Sequence, residues 1–349
     1  MKIAIHHRKE GFSERWISCC DEYGIDFKVV NCYSNTIIDE VTGCDALMWH
    51  FHQSNSKDAL FAKQLIYSLH AMGKVVFPDF NTSWHFDDKV GQKYLMEAIG
   101  APLAPSYVFY EKKKAMRWIE ETTFPKVFKL RTGSSSSHVR LVKDKKSAAK
   151  LIRRAFRRGF RQYEPGTNLS ERWRKFRAGQ SSGWNLTKGI LRFARTTKFD
   201  RTIGNERGYI YFQDFVEGND HDIRVVVIDG KACAVKRMNR ENDFRASGSG
   251  ILLYEKEHFQ EDLIRKALEL SDRLGTTSLA LDCIYKGDQP LFVEMSYGFP
   301  TGAFLDDCPG YWDRNLQWHA GPFDAPGWMV EAAVKKIREQ QGRKKSLSS

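Results

Sequence analysis

Residues 278–300 read SLALDCIYKGDQPLFVEMSYGFP, and this stretch decides the fold. Two apolar runs, SLALDCIY and PLFVEMS, flank the turn Lys286-Gly287-Asp288, so they predict a β-hairpin. Asp282 lies in the first run and Glu294 in the second, each among residues that should face a core. Acids in such positions are costly unless they are paired or bind a metal. Two carboxylates brought together across a hairpin, with the Ser296 hydroxyl nearby, suit Mg²⁺, which takes oxygen ligands and shares them with substrate phosphates. Two further charged patches precede the hairpin. Asp222-Ile223-Arg224 opens the run IRVVVIDGKACAVKRM, and Asp243-Phe244-Arg245 follows it.

The spacing from Asp282 to Glu294, followed by E-x-S-x-x-x-P over 294–300, resembles the metal-binding end of the ATP-grasp carboxylate–amine ligases, whose usual pattern is D…E-x-N. The DIR and NDFR patches resemble the ribosomal-protein glutamate ligase branch of that superfamily. Ser296 departs from the usual Asn, but a hydroxyl is also a neutral oxygen ligand. The resemblance runs from about Ser83 to Pro300 and is strongest over 222–300. It implies ATP and Mg²⁺ as cofactors, with Asp282, Glu294 and Ser296 at the metal. Lys89 and Lys129 match the two lysines that contact ATP phosphates. Lys93 competes with Lys89, and a solvated surface lysine is the plain alternative for each. YIYFQDFVEG (209–218) resembles the family hinge, where Gln213, Phe215 and Val216 would meet the adenine. Asp220 and Asp222 compete to hold the ribose, and the DIR match favours Asp222.

Thr132-Gly133-Ser134-Ser135-Ser136-Ser137-His138 follows the strand PKVFKLR. Backbone N–H groups of such a small polar loop, here Gly133, Ser134 and Ser135, can cradle phosphate oxygens, and the other reading is a linker. The strand 139–142 comes straight after it and favours the cradle. Arg224 and Arg245 offer bidentate forks for an acyl phosphate or oxyanion. Salt bridges to Asp222 or Asp243 are the alternative, evenly balanced for Arg224, while the Gly-rich run after Arg245 favours a substrate-facing role there.

The chain of 349 residues is long enough for two or three domains with buried cores. Residues 1–80 alternate strand signals (KIAIHH, DFKVV, ALMWHF, KVVFPD) with a helix at 57–72, which predicts an open parallel α/β layer. No G-x-G-x-x-G follows the first strand, so a dinucleotide fingerprint is absent. The expected fold class is α/β, an ATP-grasp fold behind an N-terminal parallel domain. The expected pieces are 1–84, 85–325 with a basic insertion at 151–207, and a C-terminal helix and tail at 326–349. No stretch approaches the roughly 18 apolar residues that span a bilayer. Seven cysteines without C-x-x-C spacing read as reduced thiols, and the chain is expected to be cytoplasmic.

Net charge is +12, and residues 151–207 alone hold fifteen Lys/Arg against four Asp/Glu. The excess is therefore local. Trp173, Phe176, Trp184 and Phe193 interleave with the cations, so a fully solvated segment is the weakest of three readings. A lid that guides a large acidic acceptor comes first, and a nucleic-acid face second. The expected activity is ligation of a carboxylate to an amine through an acyl phosphate. The basic insertion implies a large acidic acceptor, such as a uronic-acid glycan precursor, an acidic peptide or an acidic protein, and SWHFDDKVGQKYLMEAIGAP (83–102) resembles ATP-grasp proteins of bacterial surface-polysaccharide clusters. The competing function is a non-catalytic or nucleic-acid-binding module on the same fold, although nucleic acid is not the expected partner.

Overall fold

The computed structural model describes residues 1–133, 138–162, 198–240, 243–246, 250–300 and 307–348. These group by contact into two compact units, a division that differs from the consecutive pieces expected from sequence. One unit comprises Met1–His52, Phe61–Phe86 and Asn219–Ser349; the other comprises Gln53–Leu60 and Asp87–Gly218.

The first unit opens with the expected parallel layer. Strands β1 (Lys2–His6), β2 (Asp26–Val30), β3 (Ala46–Trp49) and β4 (Val75–Phe77) pair in the order β2-β1-β3-β4, all parallel. Parallel neighbours need crossovers, and helices such as Ser13–Glu22 supply them. Side chains alternate across the layer. Ile3, Ile5, Met48, Val75 and Phe77 join Phe12, Trp16 and the C-terminal helix Ala325–Ser348 on one side. Ala4, Leu47, Trp49 and Val76 join Ala62, Leu65, Ile66 and Leu69 on the other.

In the second unit, β5 (Ser106–Phe109), β6 (Lys126–Lys129), β7 (Arg140–Val142) and β8 (Ile210–Asp214) form an antiparallel sheet in the order β5-β8-β6-β7. Helices Lys112–Glu121 and Lys145–Ala155 cover one face through Phe128, Val142, Ile210 and Phe212. The two ends of the basic segment are built into this unit. Ile152, Ala155 and Phe160 are core residues, and Phe160 bridges to Glu206. The stretch 163–197, with Trp173, Phe176, Trp184 and Phe193, lies outside the described residues.

The remaining strands return to the first unit. They are β9 (His221–Ile228), β10 (Lys231–Met238), β11 (Leu252–Leu253), β12 (Ser278–Lys286), β13 (Gln289–Ser296), β14 (Gly310–Trp312) and β15 (Trp318–Ala320). They pair antiparallel in the order β13-β12-β9-β10-β14-β15, with β11 beside β10. The amphipathic helix Glu261–Leu274 packs against β9, β10 and β12 and stops at Gly275, whose left-handed φ of 63° suits glycine. All seven cysteines are buried and unbridged. Among the described residues no helix is long and apolar enough to cross a membrane.

Candidate active site

Alternation along the β9–β13 sheet sets the site in the first unit. Residues two apart share a face, so Val226, Ile228, Val235 and Ala280 point into the core with Asp222, Arg224, Arg237 and Asp282 further along the same face. The face turns from apolar to charged, and the charges pair. Arg224 binds Asp282 through two bonds, Nε to Oδ1 at 2.6 Å and Nη2 to Oδ2 at 2.8 Å. Arg237 binds Asp222 in the same way, at 2.6 and 2.7 Å. Arg237 Nη2 also lies 3.0 Å from Asp282 Oδ2. Asp222, Arg237, Asp282 and Arg224 thus form one row of alternating charge. Burial alone would push the Asp282 carboxyl up, but Arg224 and Arg237 outweigh it and hold it below the usual carboxylate range. Burial likewise opposes the charge on Arg237, and Asp282 and Asp222 more than restore it.

Glu294 stands directly opposite Asp282 in the β12–β13 register, beyond the paired row. A register shift follows at once: Cys283 faces Phe292, so Val293 is the extra residue of a β-bulge. Ser296 shares the Glu294 face. Its hydroxyl donates to the Gly298 carbonyl at 2.7 Å and accepts from the Gly298 N–H at 3.1 Å. Arg245 lies after β10 and forks onto Asp243, with Nε–Oδ1 at 3.0 Å and Nη2–Oδ2 at 2.6 Å.

The second unit holds the expected nucleotide residues on its polar side. Gln213, Tyr211, Ser106 and Lys129 occupy the sheet face opposite Phe128 and Phe212. Lys129 Nζ donates to Gln213 Oε1 at 2.7 Å, and Gln213 Nε2 donates to Ser106 Oγ at 3.0 Å. Phe215 and Val216 follow β8 half-buried. Lys89 begins the helix Lys89–Ala98 and is itself buried, whereas Lys93 pairs with Glu97. Lys89 Nζ donates to the Gly133 carbonyl at 2.9 Å, and the Gly133 N–H donates to Asp87 at 2.8 Å. The helix start and the loop root are therefore tied together. Ser134 and Ser135 lie outside the described residues.

Two residues of these arrangements were not singled out from sequence. One is Arg237, the centre of the charged row. The other is Glu206, which is buried and accepts from the Arg131 N–H at 3.1 Å, the Thr132 N–H at 3.1 Å and Gln162 Nε2 at 2.6 Å. The Thr132 and Tyr209 hydroxyls complete its shell. Burial and the Glu206 charge push the Tyr209 phenol up, which keeps it a donor. Gly159 permits this packing, since a Cβ there would lie 2.4 Å from the Glu206 carbonyl oxygen.

A family model described as the RimK-like ATP-grasp domain matches residues 190–301, which include β9, β10, β12 and β13. No curated protein sequence matches the chain. A RimK domain ATP-grasp protein from Sphaerobacter thermophilus superposes with a TM-score of 0.55 at 14% identity, covering 96% of this chain and all of that one. The fold is that of the ATP-grasp proteins. D-alanine–D-alanine ligase from Bacillus anthracis superposes on this chain at TM-score 0.55 and 14% identity, with both chains fully covered. The ATP-grasp ligase PsnB, complexed with precursor peptide PsnA2 and AMPPNP, gives 0.52 at 12% identity, covering 96% of this chain and 97% of that one. Identities this low carry the fold alone.

Proposed function

We propose that this protein is an ATP- and Mg²⁺-dependent ligase that joins a carboxylate to an amine through an acyl phosphate. The observation that carries the proposal is the pairing of Asp282 with Glu294 on one sheet face, beside a bulge, at the end of a charged row. Among the described residues no three His, Cys, Asp or Glu come together as a metal cage. Two carboxylates on one face fit Mg²⁺, which is usually held by one or two carboxylates plus substrate phosphates. Mg²⁺, when bound by Asp282 and Glu294, would neutralise phosphate charge. Ser296 Oγ keeps one lone pair beyond its two bonds to Gly298 and would be a neighbouring oxygen.

In the proposed reaction a carboxylate oxygen attacks the γ-phosphorus of ATP, the bond to the β,γ-bridging oxygen breaks, and ADP leaves. The amine nitrogen then attacks the acyl carbon, the bond to phosphate breaks, and the amine loses a proton. Such transfers depend on positioning and charge neutralisation. Lys129 and Lys89, with the Gly133 loop, would hold phosphates, and Gln213, Phe215 and Val216 the base. Arg224 would be a positioning residue that fixes the plane of Asp282. Asp222 would act on the ribose only by sharing its carboxylate with Arg237. Arg245 would meet the acyl phosphate from its fork on Asp243.

A large acidic acceptor, a uronic-acid glycan precursor or an acidic peptide, fits the excess of cations over 151–207. The peptide complex of PsnB supports an acceptor larger than a free amino acid. Reversing Arg172, Arg174 and Arg177 to Glu should impair use of such an acceptor while leaving ATP binding intact. The loss should deepen at low salt, where screening is weak. Equal turnover at every ionic strength would remove the argument for an acidic acceptor. The activity itself is tested by ADP release with pooled acids and amines, and by mass spectrometry for products lighter than their parts by one water. Acid- and amine-dependent ADP release is expected. Salt-dependent retention of random DNA without turnover would instead favour a non-catalytic nucleic-acid-binding module.

A further inference from the structure

The sheet order β2-β1-β3-β4 places its topological switch point between β1 and β3, because the chain leaves β1 toward one edge and returns to the other side at β3. Open α/β sheets bind ligands at the carboxyl ends of the strands flanking such a point. Here those ends are His6-His7-Arg8 after β1 and His50-Phe51-His52 after β3. Arg8 is half-buried and makes no side-chain ion pair or hydrogen bond among the described residues, and its Nη1 is cut off from solvent. A buried donor without a partner is costly, so it calls for an explanation.

The surroundings are shaped around the same spot. His50 is buried, stacks on Phe12 at 3.9 Å, and accepts the Phe12 N–H on Nδ1 at 3.1 Å. With Nδ1 an acceptor, the neutral ring carries its proton on Nε2 and can donate there. Gly11 makes this approach possible, since a Cβ would lie 3.2 Å from His50 Nδ1 and 3.6 Å from Arg8 Cβ. On the other side Nε2 faces Gly298, where a Cβ would lie 3.3 Å away. Gly298 is the residue that holds Ser296 Oγ, so the switch point adjoins the end of β13 that carries Glu294 and Ser296. The His52 ring lies 6.4 Å from that of His50. Burial, with the Arg8 charge adding, lowers His50 well below its usual value and His52 to about 4. The place therefore offers one guanidinium fork and uncharged imidazoles, which match a planar monoanion better than a dianion.

We propose that Arg8, close to the buried His50, binds a carboxylate of the substrate at the carboxyl ends of β1 and β3, near Gly298. The inference rests on the ligase reading for the word substrate, but its test does not. Calorimetric titrations of the full chain with glutarate, inorganic phosphate and AMPPNP separate the claims. Wild type should bind glutarate saturably. Arg8→Gln should weaken it by about tenfold or more, the worth of a charge-assisted contact. Arg8→Lys, which keeps the charge and loses the fork, should fall between them. AMPPNP should bind all three proteins alike. Melting of Arg8→Gln should match wild type, since no ion pair among the described residues is lost; if that variant does not fold, Arg8→Lys decides. No saturable glutarate binding by wild type, equal binding by the variants, or phosphate bound as tightly as glutarate would overturn the carboxylate site. Loss of AMPPNP binding by wild type would instead strike at the ligase reading and leave the glutarate result standing.

Discussion

In the β9–β13 sheet, buried charge is answered by opposite charge; in the second unit, the buried Glu206 is answered by neutral donors. Asp222, Arg237, Asp282 and Arg224 hold one another through bonds of 2.6–3.0 Å. Glu206 has backbone, amide and hydroxyl donors about it and no cation among the described residues. Lys129 likewise donates to an amide, whereas Lys126, three residues earlier in the same strand, pairs with the Asp214 carboxylate at 2.6 Å. The charged row is mutually dependent, because removing one member strands its neighbours in a desolvated place. The neutral donors around Glu206 fix the loop root at residues 131 and 132 without a second buried charge among the described residues.

The strongest way to break this contrast is Asp282→Ala. It should leave Arg224 without its bidentate partner and Arg237 with Asp222 alone. The cost is about 3–5 kcal/mol of stability, read from a denaturant or thermal melt. A loss below about 1 kcal/mol would mean that the row is solvated and independent. Lys129→Ala should cost less stability, about 1–3 kcal/mol for the acceptor left on Gln213. It should weaken AMPPNP binding by about tenfold or more, the worth of one charge-assisted contact. Equal affinity by calorimetry would place the nucleotide elsewhere. The smallest effect is on the acid side. Asp282 is held below its ordinary value near 4, so its contribution is fully present above about pH 4 and is lost as pH falls further. Melting temperatures should carry no Asp282 term between pH 5 and pH 8, in order-of-magnitude terms of that same linkage. Asp282→Asn should flatten part of the decline below about pH 4.

The two hairpins show what could be read from sequence and what could not. In the first, Asp229-Gly230 is a two-residue turn with both residues at positive φ, and it sets Ile228 opposite Lys231. Counting outward from it puts Asp222 opposite Arg237, so the centre of the charged row was legible in the chain, although the DIR motif drew attention to Arg224 instead. The second turn, Gly287-Asp288, sets Lys286 opposite Gln289. Even counting from there puts Asp282 opposite Val293 and turns Glu294 to the other face. The bulge at Val293 reverses this and brings the two acids together. That juxtaposition follows from an extra residue that no local pattern announces. Glu206 was hidden for a different reason. It lies in the basic stretch, and its donors come from residues 131–132, 162 and 209, so only the fold assembles them. The parallel layer at 1–80 was legible because each strand is a short apolar run followed by turn or helix signals.

The central claim is that Glu294 works beside Asp282 on the nucleotide's phosphates. Glu294→Gln keeps the shape of the side chain and leaves the four-residue row in place. ATP turnover and melting temperature, measured on the same preparation at saturating Mg²⁺, test it most directly. The account predicts a melt like wild type with most of the ATP turnover gone. Near-normal turnover in a folded Glu294→Gln protein would contradict it.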